Sequence, residues 1–417
     1  MIAGAVPGQI PPPDVITPDV ITMEQAINEA LAKNLDLAAQ KYNVSVAEAR
    51  QITAGLRPNP VLTISSQTLN LIGARFSPES PAGPNQYNVH TDFPIERGHK
   101  REERKALARE EKTLAELGVR ELMRQVIFAV QTAFVDVQHA KESLKLAQEN
   151  LKSLEGVVSI NEARLKSGDL AKVELDRSQV AALQFRTAVQ LAQLQLDQAK
   201  SQLQYLIGRK QVRDNFDITG PLRRDVLVEP QAEIRRLALV RRPDYLLSQR
   251  TQARSRADVR LQIANGKIDY SIGTEYTHQN AYGHGGSSLG FYVSMPLPIF
   301  NKNQGEIARA QRETTQTGAR IEALDASINA EVERAYRQYS VSKQLLVAVE
   351  MDMLSKARSV RDTTEYSYRR GEASLIEFLD AQRAFNDAMQ TFNEAQSNYA
   401  RSLYLIDAVS GATVSGS

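Results

Sequence analysis

The sequence predicts a mainly α-helical chain with a small β portion, built from two tandem repeats of helix, β-hairpin, very long helix and helix. Two observations lead to this prediction. Apolar side chains recur every seven residues over long stretches, as they do in helices that pack as coiled coils. The same order of elements, with proline between the second strand and the long helix each time, occurs twice along the 417 residues, and such repetition indicates a repeat architecture.

The last helix of each repeat has the clearest seven-residue pattern. In the second repeat the two stripes are Phe378, Phe385, Phe392, Tyr399, Ile406 and Ala381, Ala388, Ala395, Ser402, Val409. In the first repeat they are Leu175, Ala182, Val189, Leu196, Leu203 and Ser178, Phe185, Ala192, Ala199, Leu206. The matching apolar stripes in the two repeats favour a symmetric helical assembly.

Composition narrows the class of protein. The net charge is +2, with 51 basic and 49 acidic residues spread along the chain, so the sequence has no basic field suited to nucleic acid. The absence of Cys fits an oxidising compartment. Residues 1–19 lack the basic start and apolar core of a signal peptide, and no run of 18 apolar residues predicts a transmembrane helix.

The first repeat is predicted to span residues 22–208, after a Pro-rich segment at 1–21. A helix over about 22–56 ends at Arg57-Pro58-Asn59-Pro60, because the prolines remove donors and disfavour α geometry in the residues before them. Strands follow at about 60–69 and 87–94, joined by a long Pro- and Gly-rich loop.

A very long helix begins in the charged segment 97–109 and shows the seven-residue spacing of Val130, Val137, Leu144, Leu151, Val158 and Leu165. Its roughly 70 residues correspond to about 100 Å, which is longer than a globular domain. Gly168 allows the chain to reverse at a hairpin tip over 166–170, and the last helix ends at Gly208. Residues 209–230 are predicted to link the repeats.

The second repeat, 231–411, follows the same order: a helix over about 231–265, strands at about 268–278 and 289–296, and a long helix over about 304–370. The spacing in that helix is carried by Val332, Tyr339, Leu346, Met353 and Val360. A second tip is predicted at 369–374 and a C-terminal tail at 412–417. In both hairpins apolar and polar residues alternate, so that one face suits lipid and the other water.

Strands of about ten residues can cross a bilayer at a tilt, but four strands cannot close into a barrel, and open strand edges are unstable in lipid. Two chains would give a narrow eight-stranded barrel, whereas three give twelve strands and an open lumen. We therefore expect a trimer in which a 12-stranded membrane β-barrel is continued by a long α-helical barrel.

The residues that carry a family resemblance are Arg57-Pro58-Asn59-Pro60 and the segment at 94–101, PIERGHKR. The chain resembles the outer-membrane factors of the TolC type over residues 22–411. The second segment is similar to the P-[IL]-E-x-G-G-K-R stretch of the cobalt–zinc–cadmium efflux subgroup, with His99 where that subgroup usually has Gly.

This resemblance implies a bacterial outer-membrane channel that extends into the periplasm. The channel would be the exit duct of a tripartite efflux pump, which passes substrates from the periplasmic pump assembly to the exterior. The implied partners are two further copies of the chain, a periplasmic membrane-fusion adaptor, an inner-membrane transporter of the resistance-nodulation-division type and outer-membrane lipid. The subgroup favours a heavy-metal system, although the residues leave metal ions, drugs and polypeptides open as cargo.

The resemblance also implies two functional regions. Residues 371–381 are similar to the stretch that carries an acidic constriction, which maps onto Glu377 and Asp380 as a periplasmic gate. The alternative is that both are first-turn carboxylates favoured by the helix dipole. The two tips are where the family docks its adaptor, and the residues concerned are Leu165, Gly168, Leu170, Arg369, Gly371 and Ser374. The alternative there is that the glycines only cap helices.

Other signals are weak. The five His residues show no ligand spacing, so no specific metal site, no cofactor and no catalytic grouping is predicted. His90 and Asp92 share the inner face of a strand and are interpreted as lumen polarity. Two rival classes remain. One is a coiled-coil scaffold without a channel, which would not need paired hairpins with lipid-suited faces. The other is a periplasmic adaptor protein, which would carry one helical hairpin flanked by small β-domains.

Overall fold

The computed structural model describes residues 19–67, 85–281 and 284–412. Several predicted features lie wholly or partly outside these ranges. They are most of the Pro-rich segment at 1–21, the end of the first strand at 68–69 with the loop that follows, two residues of the Gly-rich loop and residues 413–417 of the tail.

The described residues are mainly helical. The elements in chain order are β1 (Asp19–Ile21), α1 (Met23–Lys33), α2 (Leu35–Gly55), β2 (Val61–Gln67), β3 (Gln86–Ile95), α3 (Lys100–Ser167), α4 (Lys172–Leu206), β4 (Phe216–Ile218), α5 (Gln231–Arg241), α6 (Pro243–Asn265), β5 (Tyr270–Ala281), β6 (His284–Ser294), α7 (Gln304–Ala348), a π-helical turn (Val349–Met353), α8 (Leu354–Arg370) and α9 (Leu375–Ser410).

The chain forms two compact units. The first consists of Met1–Ala39, Arg120–Arg242 and Ser327–Ser417, and the second of Gln40–Val119 and Pro243–Ala326. Each unit therefore takes segments from both predicted repeats. The strands β2, β3, β5 and β6 belong to the second unit, whereas α4, α8 and α9 belong to the first.

The second unit contains a four-stranded antiparallel sheet in the order β2-β3-β5-β6. One face is apolar and exposed, with Leu62, Ile64, Tyr87, Val89, Phe93, Ile272, Tyr276, Leu289, Phe291 and Val293. On the opposite face Tyr292 donates a hydrogen bond to Asp92 (2.7 Å), and the Asp92 carboxylate lies 3.1 Å from His90 Nε2. The sheet therefore separates an apolar face from a hydrogen-bonded polar face.

The second β-hairpin is longer than the sequence predicts. The ladder continues through Asn280↔Gly285 and Ala281↔His284, because Gly285 and Gly286 pair with β5 as strand residues. Strand β6 ends at Ser294, next to Met295-Pro296, where proline cannot donate to a ladder. Strand β5 begins at Tyr270 instead of residue 268.

The strand-to-helix junctions of the two repeats share one backbone feature. His99 (φ 60°) precedes α3 and Asn303 (φ 64°) precedes α7. The carbonyl of each accepts the first hydrogen bond of its helix, from the amide of the fourth helical residue, Glu103 or Ile307, both at 3.0 Å. A left-handed conformation favours Gly or Asn. This explains why Gly is the usual residue at the position of His99 in the motif that the segment resembles.

The predicted single helix over 22–56 is wrong, because it divides at Asn34. The Asn34 side chain accepts a hydrogen bond from the Leu37 amide (3.0 Å) and donates one to the Leu206 carbonyl (3.0 Å). This contact caps α2 and ties it to the end of α4. The helix over 231–265 divides similarly at Arg242, before Pro243.

The predicted linker at 209–230 contains a strand that the sequence analysis missed. Strand β4 pairs in parallel with β1. The Arg209 guanidinium is 8% exposed and binds both Asp19 (2.6 Å) and Glu29 (3.0 Å). The linker is thereby fixed to residues 19–29, which contain β1 and the first part of α1.

The heptad prediction holds for α9, where nine of the ten predicted positions are buried and Phe392 is partly buried. In the long helix of the second repeat it fails beyond Leu346. Met353 and Val360 are exposed, whereas the side chains that face inward are Leu354, Arg361 and Tyr368. The π-helical turn is the cause, because it adds one residue and so moves the inward stripe by one position.

Among the described residues, no helix combines the length and the apolar character needed to span a membrane.

Candidate functional site

Both helical hairpins reverse at a glycine in the left-handed conformation. After α3, Gly168 has φ 85° and the Asp169 amide donates to the Arg164 carbonyl (2.8 Å). After α8, Gly371 has φ 82° and the Glu372 amide donates to the Ser367 carbonyl (2.9 Å). These six-to-one hydrogen bonds close the helices in Schellman motifs.

The predicted tip residues differ in their surroundings. A Cβ at Gly168 would meet no atom of the described residues within 4 Å, and one at Gly371 would lie 3.7 Å from Arg164 Nη2. Leu165 and Leu170 are partly buried, whereas Arg369 and Ser374 are exposed, and Arg369 pairs with Glu365 (2.6 Å). The glycines therefore leave space at the surface of both tips.

Arg164 connects the two tips, and the sequence analysis missed this contact. Its guanidinium donates to the backbone carbonyls of Tyr368 (3.3 Å) and Arg369 (2.8 Å), and it lies 5.7 Å from the Tyr368 ring centroid. A cation at the C-terminus of a helix satisfies open carbonyls and complements the helix dipole. No spacing in the sequence indicates that Arg164 would reach α8, since the partner is about 200 residues away.

Beneath this contact lies a buried hydrogen bond that the sequence analysis also missed. The Tyr368 hydroxyl donates to the Asn161 side-chain oxygen at 2.6 Å, and the two residues are 3% and 0% exposed. Burial raises the pKa of Tyr368, so the phenol stays protonated as a donor. The Tyr368 ring stacks on Phe378 with 5.5 Å between centroids. We call Asn161, Arg164, Tyr368 and Phe378 the tip clasp.

An apolar cluster supports the tip clasp. Its buried members are Leu154, Val157, Ala181, Tyr368, Leu375 and Phe378, and its partly buried members are Ala182, Phe185, Ala373 and Leu379. The cluster joins residues of α3, α4, α8 and α9, so the tips of the two hairpins share one core.

Glu377 is tied to the start of α9. Ser374 accepts a hydrogen bond from the Glu377 amide (3.3 Å), while the Ser374 amide and hydroxyl donate to the Glu377 carboxylate at 2.7 and 2.9 Å. This is a capping box. The donation from the Ser374 amide, followed by that from its hydroxyl, lowers the pKa of Glu377. Glu377 is thus both an exposed anion and a helix cap.

Asp380 lies one turn further along α9. It is exposed, and its carboxylate is 3.6 Å from Arg383, which is also exposed. Such a surface pair adds little stability. The chain therefore offers two exposed carboxylates, Glu377 and Asp380, on the first turns of α9 beside the tip clasp.

A second polar group lies deeper in the first unit. Gln382 donates to Asn150 (2.8 Å), which donates in turn to Asn386 (2.7 Å). Asn150 and Asn386 line a cavity of about 390 Å³. His139 also lines the cavity, and burial lowers its pKa. Within the described residues, no three His, Asp or Glu side chains are arranged to hold a metal ion.

In the described part of the chain, an amphipathic four-stranded sheet has two unpaired edge strands, and the same chain carries two long helical hairpins. These features are typical of the protomer of an outer-membrane channel. The chain belongs to the outer membrane efflux protein family, whose model matches residues 26–209 and 234–412. The family resemblance, the mainly helical fold with a small β portion and the outer-membrane location predicted from the sequence are confirmed.

Among curated proteins, the chain is 24% identical to the cobalt-zinc-cadmium resistance protein CzcC of Cupriavidus metallidurans over 373 residues, which cover 88% of the chain and 84% of CzcC. It is 25% identical to the pyoverdine export outer membrane protein OpmQ of Pseudomonas putida, with 88% and 80% covered.

Among solved structures, the chain matches the channel-forming protein CusC with a TM-score of 0.74 and 19% identity, over 93% of this chain and 92% of that one. The Campylobacter jejuni CmeC outer membrane channel matches with a TM-score of 0.77 and 15% identity, over 94% and 86%. At these identities the two structures establish the shared fold.

Proposed function

We propose that three copies of this chain form the exit duct of a tripartite efflux pump. The observation that carries the proposal is the four-stranded sheet. Among the described residues, its strands β2 and β6 each have one unpaired edge, and one of its faces is apolar and exposed. Pairing of β6 with β2 of the next copy would remove every open edge, and three copies would enclose twelve strands.

The mass of the extracted protein tests this assembly. The chain, expressed with an export signal, would be extracted from outer membranes with detergent, and its molar mass measured by light scattering corrected for bound detergent. A protein mass three times the 46.3 kDa of the chain supports the channel. A monomer or dimer that stays soluble without detergent would contradict it and favour a scaffold.

We propose that Glu377 and Asp380 form the cation-favouring gate at the periplasmic end. Threefold symmetry would place three copies of each carboxylate around one axis, and rings of carboxylates favour cations. The lowered pKa of Glu377 supports a charged ring at neutral pH. However, Glu377 also caps α9, so an alanine substitution would remove two functions together.

Substitution by amides separates charge from capping. Gln can occupy the third position of a capping box, so Glu377→Gln keeps the hydrogen bonds to Ser374 while it removes the charge. Single-channel recordings of Glu377→Gln with Asp380→Asn should show lost cation preference and weaker block by divalent cations. Unchanged selectivity would reject the gate. Ser374→Ala is the matched control, because it weakens the cap and leaves both charges in place.

We propose further that the adaptor docks at the two tips, whose residues are Leu165, Gly168, Leu170, Arg369, Gly371 and Ser374. The open space beside Gly168 supports close approach by another hairpin. Asn accepts the left-handed conformation better than other non-Gly residues, so Gly168→Asn with Gly371→Asn adds side chains but keeps the caps. Trimers should form while pump-dependent resistance is lost. Full resistance in this variant would reject docking at the glycines.

We propose a heavy-metal ion as the cargo and a transporter of the resistance-nodulation-division type as the inner-membrane partner. The support is the similarity to CzcC and the PIERGHKR segment. Deletion of the gene should lower survival in cobalt, zinc or cadmium. If deletion leaves metal survival unchanged and sensitises the cells to organic compounds instead, the metal assignment is wrong.

A further inference from the structure

The residues between β6 and α7 carry exposed apolar side chains. Met295 is 53% exposed, Leu297 73%, Ile299 69% and Phe300 90%. We call residues 295–300 the apolar collar. A run of large apolar side chains this exposed indicates a partner, because water is a poor environment for it.

The apolar collar is held in a defined conformation. The Ile299 amide donates to the Leu297 carbonyl (2.9 Å), and the Gln304 side chain donates to the Phe300 carbonyl (3.1 Å). The side chain of Asn303, just beyond, donates to the Gln262 carbonyl (2.8 Å). The exposure is therefore a feature of an anchored segment.

The apolar collar continues the apolar face of the sheet. By the two-residue period of a strand, Met295 follows Leu289, Phe291 and Val293 on the same side. The 11 residues of β6 extend about 37 Å at 3.4 Å per residue, which a barrel tilt near 40° reduces to about 28 Å across the bilayer. A hydrocarbon core is about 30 Å thick, so the end of β6 lies near one boundary of it.

Three cationic residues occupy backbone positions near the end of the apolar collar. A Cβ at Gly266 would lie 2.8 Å from the Lys302 carbonyl oxygen, and one at Gly98 would lie 2.6 Å from Lys267 Cγ. Lys302, Lys267 and Arg97 thus belong to one neighbourhood. All three are exposed, and none has an ion-pair partner among the described residues.

Two acidic groups of this neighbourhood, Asp269 and Glu96, already have partners. Asp269 accepts from Lys100 Nζ (2.6 Å) and from the Arg97 amide (2.9 Å), and Glu96 binds Arg104 through both carboxylate oxygens. The guanidinium of Arg97 and the two lysine ammonium groups therefore remain available to an external anion. Phosphate is the anion that a bilayer presents beside its apolar layer.

We propose that the apolar collar inserts into the acyl layer of the inner leaflet of the outer membrane, while Arg97, Lys267 and Lys302 bind phospholipid phosphates. The interaction would fix the height of the barrel in the membrane at the point where the helices begin. The inference rests on the lipid-facing sheet proposed above, and it assigns a lipid contact to residues beyond that sheet.

Fluorescence tests the proposal directly, because the chain has no Trp and a single introduced Trp is the only indole. Phe300→Trp trimers would be reconstituted in vesicles of phosphatidylethanolamine and phosphatidylglycerol whose acyl chains are brominated close to the glycerol. Two variants serve as controls: Phe291→Trp on the apolar face of β6, and Tyr366→Trp, whose exposed site on α8 lies outside the sheet.

We expect the Trp emission of Phe300→Trp to be blue-shifted. Brominated lipid should quench as large a fraction of its fluorescence as it quenches in Phe291→Trp, and it should not quench Tyr366→Trp. Red-shifted emission that aqueous iodide quenches would show that the side chain at position 300 faces water, and this would overturn the proposal. Blue-shifted emission that neither agent quenches would show that the side chain is buried against a neighbouring copy of the chain, and this too would overturn the proposal. If Phe291→Trp also resists brominated lipid, the proposed barrel fails as well, so the two failures are distinguishable.

Charge reversal tests the phosphate contact. In the Phe300→Trp background, brominated phosphatidylglycerol should quench more than brominated phosphatidylethanolamine at equal content. Arg97→Glu with Lys302→Glu should abolish that preference, since these cations face the anionic headgroup. The matched control is Arg256→Glu with Arg312→Glu, which removes two exposed cations elsewhere in the same unit. An unchanged preference in the junction variant would refute the role of the cations.

Discussion

Tyr368→Phe is the most informative single change in the tip clasp. It removes one oxygen and keeps the ring that stacks on Phe378 and lies beside Arg164. The loss leaves the Asn161 oxygen buried without its donor at a site that is 0% exposed. The Asn161 side-chain nitrogen has no partner among the described residues, so that amide would then be wholly unpaired. Leaving a buried polar group unpaired costs about 1–3 kcal/mol.

Amide hydrogen exchange of the trimer in detergent measures this cost locally. If the tips open as a unit, amide exchange over residues 367–378 should accelerate by roughly 5- to 150-fold. This factor is the change in the opening equilibrium that corresponds to about 1–3 kcal/mol. Tyr366→Phe, two residues earlier on the exposed side of α8, is the matched control and should leave exchange unchanged.

A double-mutant cycle completes the test. Replacing both partners of a buried hydrogen bond with apolar groups of similar shape is often nearly neutral, so Tyr368→Phe with Asn161→Leu should recover most of the lost protection. If Tyr368→Phe alone changes exchange by less than about two-fold, the hydrogen bond does not stabilise the tip, and the reasoning from an unpaired buried amide is refuted.

Three further predictions follow from single positions. The folded-state pKa of Glu377 is lowered, so its contribution to the α9 cap is present at neutral pH and is lost as pH falls through that pKa. In thermal melts at several pH values, Glu377→Gln should make the melting temperature less dependent on pH in this range. Gly371→Ala should destabilise the tip by about 1–2 kcal/mol through its left-handed backbone, and normal denaturant stability would contradict this cause. A Cβ at Gly273 would lie 2.2 Å from Tyr292 Cζ, so Gly273→Ala should displace that ring and alter channel conductance, whereas Gly290→Ala, with no atom closer than 3.8 Å, should not.

The features that could be predicted from the sequence are those set by local patterns. The alternation in β3 and β6 predicts which side chains face out, and the left-handed glycines predict both hairpin tips, because strand and cap geometry depend on neighbouring residues. The capping box at Ser374 also has a local spacing, but the sequence analysis interpreted Glu377 only as a gate or as a charge favoured by the helix dipole.

The features that were missed depend on contacts between distant segments. Asn34 divides a helix whose local sequence is continuous, because its side chain bonds to the end of α4. Arg164 and Asn161 look like ordinary members of a long helix until α8 lies beside them. Strand β4 has only three residues and becomes a strand by pairing with β1, which is nearly 200 positions away.

The π-helical turn at Val349–Met353 gives the long helix of the second repeat one more residue than a regular helix needs. Leu346 and Leu354 both face inward although they are eight positions apart. Deleting one residue inside the turn would restore a seven-residue interval and leave Tyr368 in place. Deleting one residue before Leu346 would instead rotate the preceding part of the helix by about 100° about its axis, relative to the part that follows. The chain can therefore lose one residue in this turn while the inward-facing side chains on both sides keep their packing contacts. The length of the helix can vary there as the sequence diverges.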